Sequence, residues 1–193
     1  MVICYIYSVK QKQRSLRYLL FVDLFSLVGY YTFAPLYALY AHTFAISPKD
    51  ISLIWGGYSL LMACFILLFG KYENRRKKGR LVVVSYFLYA CGALAFLLVH
   101  SKSSLEAVLA FNALGGGVTL PAQKTLFAKN EAHGKESEQW SWFDAGGMFA
   151  SAAGGALGGL IVGEFGFHGI FIAMSAIQLI AAFVAYRVLY ALQ

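Results

Sequence analysis

The chain has 193 residues, of which 60% are apolar and 13% are charged, and its mean hydropathy is +0.64. This composition excludes an ordinary soluble domain, because a chain of this length cannot bury so many apolar side chains in one core. A net charge of +7 does not indicate nucleic-acid binding here, since anionic lipid headgroups attract the same basic residues. We expect a membrane protein with lipids, and no nucleic acid, among its partners.

Six apolar stretches, each close to the ~20 residues that cross a hydrocarbon core, follow one another along the chain. They are residues 17–41, 48–70, 81–99, 105–127, 140–163 and 167–190, numbered here as spans one to six. Residues 1–16 form a predicted cytoplasmic segment, and residues 17–193 form one predicted transmembrane domain. All but Lys49 and Lys102 of the 16 Lys and Arg residues fall on one side. The positive-inside rule therefore predicts an inner-membrane, multi-pass protein with both termini in the cytoplasm.

Capping patterns mark the starts of two spans. Ser47 before Pro48, with Asp50 in the first turn, predicts the start of span two. Ser103 followed by Glu106 has the spacing of a capping box and predicts the start of span four.

Spans one and four each contain a single proline, Pro35 and Pro121, at a similar depth. These two spans run in opposite directions across the membrane. The predicted fold class is therefore an all-α membrane protein whose six transmembrane helices form two inverted three-helix repeats.

The same two spans each carry one polar stripe within an arc of about 60° of a helix. The stripe of span one consists of Asp23, Ser26, Tyr30 and Tyr37, and that of span four of Asn112, Gly116, Thr119 and Gln123. Polar side chains in a bilayer face protein or water and not lipid. Two interpretations remain open: the stripes are interhelical hydrogen bonds, or they form the wall of an aqueous cavity.

Asp23 is the one acid well inside a span and on a polar stripe. Ionisation is costly there, so the carboxyl is a candidate site for coupling protons or cations. The alternative is that Asp23 lies near the cytoplasmic interface, where water or Arg17 satisfies it.

Span five has small residues at every fourth position, which we call the glycine ridge: Gly147, Ser151, Gly155, Gly159 and Gly163. Such a ridge lets another helix approach closely. The partner helix belongs either to the same chain or to a second copy. Asp144 lies at the start of the span on the same face. It either complements the helix dipole or faces the basic residues of loop 75–80 in a partner.

The loop between spans two and three resembles the G-x-x-x-D-R-x-G-R-K signature of the major facilitator superfamily. Gly70 and Arg75 match it, whereas Asn74 replaces the aspartate and Lys77 the second glycine. Span four is similar to the family pattern R-x-x-x-G-x-G-x-G-x-x-x-P. There Gly115, Gly117 and Pro121 match, and Leu109 and Ala113 depart from the pattern. The sequence Gly154-Gly155-Ala156-Leu157-Gly158-Gly159 resembles the glycine-rich stretch of antiporter members without its proline.

This resemblance covers one six-helix half of a twelve-helix transporter. It implies that helices one and four line a solute cavity, that helices two and five contact the other half, and that helices three and six face outward. The expectation is a half-transporter that moves a small solute by alternating access as a homodimer. The expected cavity residues are Ser26, Tyr30, Tyr37, Asn112, Thr119 and Gln123, and the expected dimer residues are Asp144, Gly147, Ser151, Gly155 and Gly159.

Proton coupling through Asp23 is expected. Leu109 stands where the family pattern has an arginine, and this departure leaves uniport open as an alternative. No metal, cofactor or catalysis is expected, because metal-ligand spacing and hydrolase motifs are missing from the sequence. From a different class of function, a non-transporting scaffold that binds lipids or protein partners remains an alternative.

Overall fold

The computed structural model describes residue 18 and residues 20–72, 78–130 and 134–191, and every regular element among them is helical. Six helices follow in chain order: α1 (residues 20–31), α2 (Tyr37–His42), α3 (Pro48–Tyr72), α4 (Lys78–Ala95), α5 (Lys102–Asn130) and α6 (Glu136–Ala191). Short 3-10 turns occur at Ala34–Leu36 and Phe96–Leu98. Arg17 and the loop-motif residues Asn74 and Arg75 lie outside the described residues.

Five helical segments of the described chain are long and apolar enough to cross a membrane. They are Leu20–His42, Pro48–Lys71, Arg80–Leu98, Lys102–Lys129 and Glu136–Arg187. The first four match predicted spans one to four, and the fifth contains predicted spans five and six. Helices suit lipid because they satisfy every backbone polar group internally.

Helix α6 has 56 residues and is interrupted at Gly166. A straight helix of that length would extend about 84 Å, far more than a hydrocarbon core of about 30 Å. Gly166 has φ 66° and ψ −170°, a backbone conformation that glycine adopts without a steric penalty. The helix therefore changes direction where predicted spans five and six meet.

The two prolines that suggested an internal repeat have different local structures. Pro35 lies in the 3-10 turn between α1 and α2, whereas Pro121 lies inside the continuous helix α5. Around Pro35 the backbone forms shorter-range bonds, from Phe33 N to Tyr30 O at 3.3 Å and from Leu36 N to Phe33 O at 2.8 Å. Span one is consequently divided into α1 and α2, because proline lacks the N–H that a continuous helix requires.

The predicted cap of span two is confirmed. The Asp50 amide donates to Ser47 Oγ at 3.2 Å, and the Ser47 hydroxyl donates to the Asp50 carboxylate at 2.8 Å. The capping box of span four lies two residues before the predicted position. There the Ser101 and Ser104 amides each donate to the other residue's hydroxyl.

Two apolar clusters hold the bundle, one near each end. We call these the Asp50 end and the Lys124 end. The first cluster includes Phe33, Ile54, Phe96, Leu105 and Phe171, and the second includes Val22, Val82, Tyr86, Ala122 and Ala181. Along each helix, polar residues lie between the two clusters: Ser26 on α1, Tyr89 on α4, Thr119 on α5 and Gln178 on α6. The candidate site occupies this polar layer.

Helix α6 packs closely against α1 through Gly146, Gly154 and Gly158. A Cβ at Gly154 would lie 2.6 Å from the Val28 carbonyl oxygen, and one at Gly158 would collide with the Thr32 backbone. Only glycine permits this backbone contact. The part of α6 before Gly166 therefore packs against α1 through a row of small residues that lies beside the glycine ridge.

Candidate solute-binding site

Asp23 of α1 and Gln123 of α5, one from each polar stripe, come together near the Lys124 end. Both side chains are buried. Gln123 lies close to the Asp23 carboxyl, and its Nε2 donates to the Tyr86 hydroxyl at 2.8 Å. The charge of Asp23 also acts on the hydroxyls of Tyr86 and Tyr89. The buried acid is thus surrounded by groups that can donate hydrogen bonds to it.

Ser26 is buried one turn further along α1, where it contacts the second part of α6. Its hydroxyl donates to Gln178 Oε1 at 2.8 Å, and Gln178 Nε2 donates to the Ser26 carbonyl oxygen at 3.0 Å. At this position the polar stripe forms an interhelical hydrogen bond, and Ser26 has no free face toward a cavity.

Thr119 and Gly116 of α5 face α3 and α4. The Thr119 hydroxyl donates to the Gly115 carbonyl oxygen at 2.8 Å and lies close to Tyr89. A Cβ at Gly116 would lie 2.5 Å from Met62 Sδ and 3.1 Å from Tyr89 Oη. Gly116 therefore serves close packing, and Thr119 spends its own hydrogen bond on the backbone of α5.

Tyr30, Tyr37 and Asn112 line one cavity of about 30 Å³, which is close to the volume of one water molecule in the liquid. We call it the aromatic chamber. Its lining consists of Tyr30, Phe33, Ala34, Tyr37, Trp55, Tyr58, Tyr89, Phe96, Leu109, Asn112 and Met174. The Tyr30 and Tyr58 side chains, from α1 and α3, come close to each other in its wall. Asn112 donates to the Val108 carbonyl oxygen at 2.9 Å and packs against Gly92.

The Tyr37 hydroxyl is buried and has no hydrogen-bond partner among the described residues. The residue is 5% exposed and lines the aromatic chamber, with its ring 5.1 Å from that of Trp55. Buried polar groups are nearly always paired with protein, water or ligand. The orphan hydroxyl marks the chamber as a place where a polar atom can bind.

A larger cavity of about 310 Å³ lies between α3 and α5 at the Asp50 end. We call it the vestibule. Asp50, Lys102 and Glu106 line it, and Lys102 Nζ lies 2.8 Å from the Asp50 carboxylate. Tyr58 and Leu109 line both the vestibule and the aromatic chamber, so the two cavities are neighbours.

The predicted dimer residues lie apart from these cavities. An added Cβ would lie 3.9 Å from Leu27 at Gly147 and 3.9 Å from Pro35 at Gly155, and at Gly159 it would meet no described atom within 4 Å. Ser151 is partly exposed and Asp144 is exposed. Helix α6 begins at Glu136, so Asp144 lies more than two turns inside it, beyond the reach of the helix N-terminus. The dipole explanation of Asp144 is therefore wrong.

Sequence reasoning missed Tyr58, Tyr86, Tyr89 and Gln178, which come from the helices between and after the two polar stripes. Gln178 had a signal, since an amide inside an apolar span has to face protein or water. The three tyrosines carried no such signal in the sequence, because tyrosine is also common where spans meet the membrane interface.

Gly70 of the loop motif has open space where a Cβ would stand. In the described part of the chain, no three potential metal ligands cluster.

A bundle of helices long and apolar enough to cross a membrane defines a multi-pass membrane protein, and this one contains a buried polar layer and two adjoining cavities. The profile of the Major Facilitator Superfamily matches residues 19–192, and the chain belongs to this family. A relative named riboflavin transporter RibZ, from Clostridioides difficile (strain 630), is 23% identical over 149 residues. That match covers 77% of this chain and 33% of the relative, so the chain spans about a third of the length of this relative.

Proposed function

We propose that this chain is a half-transporter that moves a small solute by alternating access, with the aromatic chamber and the polar layer as its share of the solute path. The observation that carries the proposal is the convergence of Tyr30, Tyr37 and Asn112, from spans one and four, on one cavity. These are the two helices that the family resemblance assigns to the solute cavity.

The size of the chamber favours a second half. A cavity of about 30 Å³ is far smaller than the roughly 300–1,000 Å³ of typical ligand pockets. A facing six-helix half would supply the opposite wall and enlarge the cavity. We propose that this half is a second copy, held by the glycine ridge of span five.

The six-span arrangement is part of the same proposal. Gly166 divides α6 into residues 136–165 and 167–191, each long enough to cross a hydrocarbon core. The Asp50 end then faces outward and both termini are cytoplasmic, as the charge distribution predicts. Spans one to three and four to six would form the two inverted repeats.

Asp23 is the proposed proton-coupling group. It is buried, its carboxyl lies close to Gln123, and Gln123 donates a hydrogen bond to Tyr86. Protonation would remove a charge that links α1 to α5, so loading and release of a proton can change how these helices pack.

The experiment is solute counterflow in proteoliposomes, with thermal stabilisation in detergent as the binding readout. Riboflavin is the first solute to test because the relative is named as its transporter. A panel of vitamins, nucleosides and amines follows. We expect one solute to stabilise the protein and exchange across the membrane.

The chamber is tested with Tyr30→Leu, and the matched control is Phe87→Leu, which shortens an aromatic residue of α4 that is 55% exposed. We expect counterflow to fall at least tenfold for Tyr30→Leu and to stay unchanged for the control. Equal activity in the two variants would remove the chamber from the path. A protein that neither binds nor exchanges any member of the panel would instead fit the scaffold alternative.

A further inference from the structure

The lining of the aromatic chamber has a distinctive chemistry. Seven of its eleven residues are aromatic, and none of them is charged. Trp55 has its ring 5.1 Å from that of Tyr37 and 5.2 Å from that of Tyr58. Aromatic faces attract cations and stack on other rings, but they offer nothing that compensates a buried negative charge. The chamber therefore disfavours anionic solutes.

The adjoining vestibule carries a net negative charge. Lys102 is neutralised by Asp50 at 2.8 Å, while Glu106 forms no ion pair with any described residue. Glu106 lies close enough to the Tyr37 hydroxyl to interact with it electrostatically. A solute that enters from the Asp50 end thus passes an unpaired carboxylate before it meets the aromatic rings.

The orphan hydroxyl of Tyr37 adds a specific contact. It is buried at the edge of the chamber, and it can accept a hydrogen bond from an ammonium N–H as well as donate one. The Glu106 carboxylate, the Tyr37 hydroxyl and the Tyr58 ring, which lines both cavities, together suit an amine attached to an aromatic ring.

We propose that the vestibule and the aromatic chamber bind an aromatic organic cation of the arylalkyl-ammonium class. Glu106 attracts the ammonium group, and the Tyr37 hydroxyl accepts a hydrogen bond from it. The aromatic ring lies in the vestibule, whose volume of about 310 Å³ admits it, against Tyr58 at the border of the chamber, because the chamber's own 30 Å³ hold about one water molecule. This inference rests on the proposed function in taking the chamber as the solute site. Binding itself requires no translocation.

Three probes share a phenyl ring and differ in charge, so they distinguish the contribution of charge to affinity from that of ring contacts. They are 2-phenylethylammonium, the neutral 2-phenylethanol and the anion 3-phenylpropanoate. Binding is measured by calorimetry on the full chain in phosphatidylcholine nanodiscs, whose zwitterionic lipid does not concentrate cations. We expect the ammonium to bind roughly tenfold more tightly than the alcohol and the carboxylate to bind most weakly. Equal binding of ammonium and alcohol, or no ammonium binding at millimolar concentration, would overturn the proposal.

Two variants locate the site. Glu106→Gln should reduce ammonium affinity roughly tenfold and leave alcohol affinity unchanged, whereas Tyr37→Phe should weaken both without removing the preference for the cation. The control is Glu164→Gln, since Glu164 is an exposed acid on α6 that does not line the vestibule. An equal loss in Glu164→Gln, or no loss in Glu106→Gln, would contradict the assignment. If the ammonium binds but no counterflow occurs, the cation site stands and the proposed transport is refuted. If another solute shows counterflow and the ammonium does not bind, transport stands and the cation site is refuted.

Discussion

Ser26 and Gln178, 152 positions apart in the chain, exchange two hydrogen bonds that join α1 to the second part of α6. Gln178 is 2% exposed, and both polar atoms of its amide group are used in this pair. Since lipid provides no driving force for helices to meet through apolar burial, polar pairs and close packing have to hold them together. This pair fixes the first span against the last.

The first prediction concerns this pair. Gln178→Leu should lower the free energy of unfolding by about 1–2 kcal/mol, because it leaves the Ser26 hydroxyl buried without its partner. A double-mutant cycle with Ser26→Ala should give a coupling energy of about 0.6–1.7 kcal/mol. Reversible unfolding in mixed micelles measures both. Ser59→Ala is the control, because exposed Ser59 bonds only the Trp55 carbonyl of its own helix. Strictly additive effects would show that the pair does not couple the two helices.

The second prediction separates the two small-residue rows of α6. Gly158→Ala should destabilise the fold by about 1–3 kcal/mol, because its Cβ would collide with the Thr32 backbone. Gly159→Ala should be neutral or stabilising by up to ~1 kcal/mol, since nothing lies within 4 Å and alanine favours the helix. Thermal unfolding of both variants in detergent checks this. If the two substitutions cost the same, α1 does not pack against α6 through Gly158.

The membrane-crossing segments were predictable because the bilayer allows few alternatives. A long apolar stretch has to form a helix there, so spans one to four match helical segments closely. The different effects of Pro35 and Pro121 were not predictable. A proline breaks or merely bends a helix depending on whether neighbours satisfy the carbonyl groups it frees, and that depends on tertiary packing.

Part of the candidate site could also be read from the sequence. The two polar stripes indicated that Asp23, Tyr30, Tyr37, Asn112 and Gln123 face protein or water and not lipid, but they did not indicate which of these residues meet. Helical periodicity gives the face of a residue but not its partner. The pairing of Ser26 with Gln178 and the approach of α6 to α1 depend on which helices are neighbours, which a single sequence does not specify.

The third prediction tests proton coupling. Asp23→Asn keeps a side chain that can hydrogen-bond Gln123 but cannot lose a proton, so folding and solute binding should persist. The dependence of solute counterflow on pH should disappear. Glu138→Gln is the control, because this carboxyl is exposed near the start of α6 and lies outside both cavities. An unchanged pH profile in Asp23→Asn would favour uniport and remove Asp23 from the mechanism.

The fourth prediction is the topology. Single cysteines are introduced into a background without Cys4, Cys64 and Cys91. Lys49→Cys and Lys102→Cys should react with an impermeant maleimide added to intact cells. Lys135→Cys and Arg76→Cys should react only after the membrane is opened. Labelling of Lys49→Cys and Arg76→Cys from the same side would refute the assigned orientation.

The last prediction concerns the second copy. The glycine ridge is not filled by α1, because Gly159 and Gly163 have nothing within 4 Å of an added Cβ and Gly155 approaches only Pro35, at 3.9 Å. Helices associate in lipid by close backbone approach, which small residues permit. We expect the ridges of two copies to pack against each other and to carry most of the dimer contact.

Gly155→Leu adds four carbons to this contact and should weaken the dimer by roughly 1 kcal/mol or more, because the side chain holds the two backbones apart. Gly159→Leu should act in the same way, and it starts from a position where an added Cβ meets no described atom of the same chain within 4 Å. Leu157→Ile is the control, since Leu157 lies on another face of α6. Native mass spectrometry from nanodiscs reports the proportion of dimer. If the wild-type chain is monomeric there, or if both leucine variants dimerise as well as the control, the ridge does not join two copies.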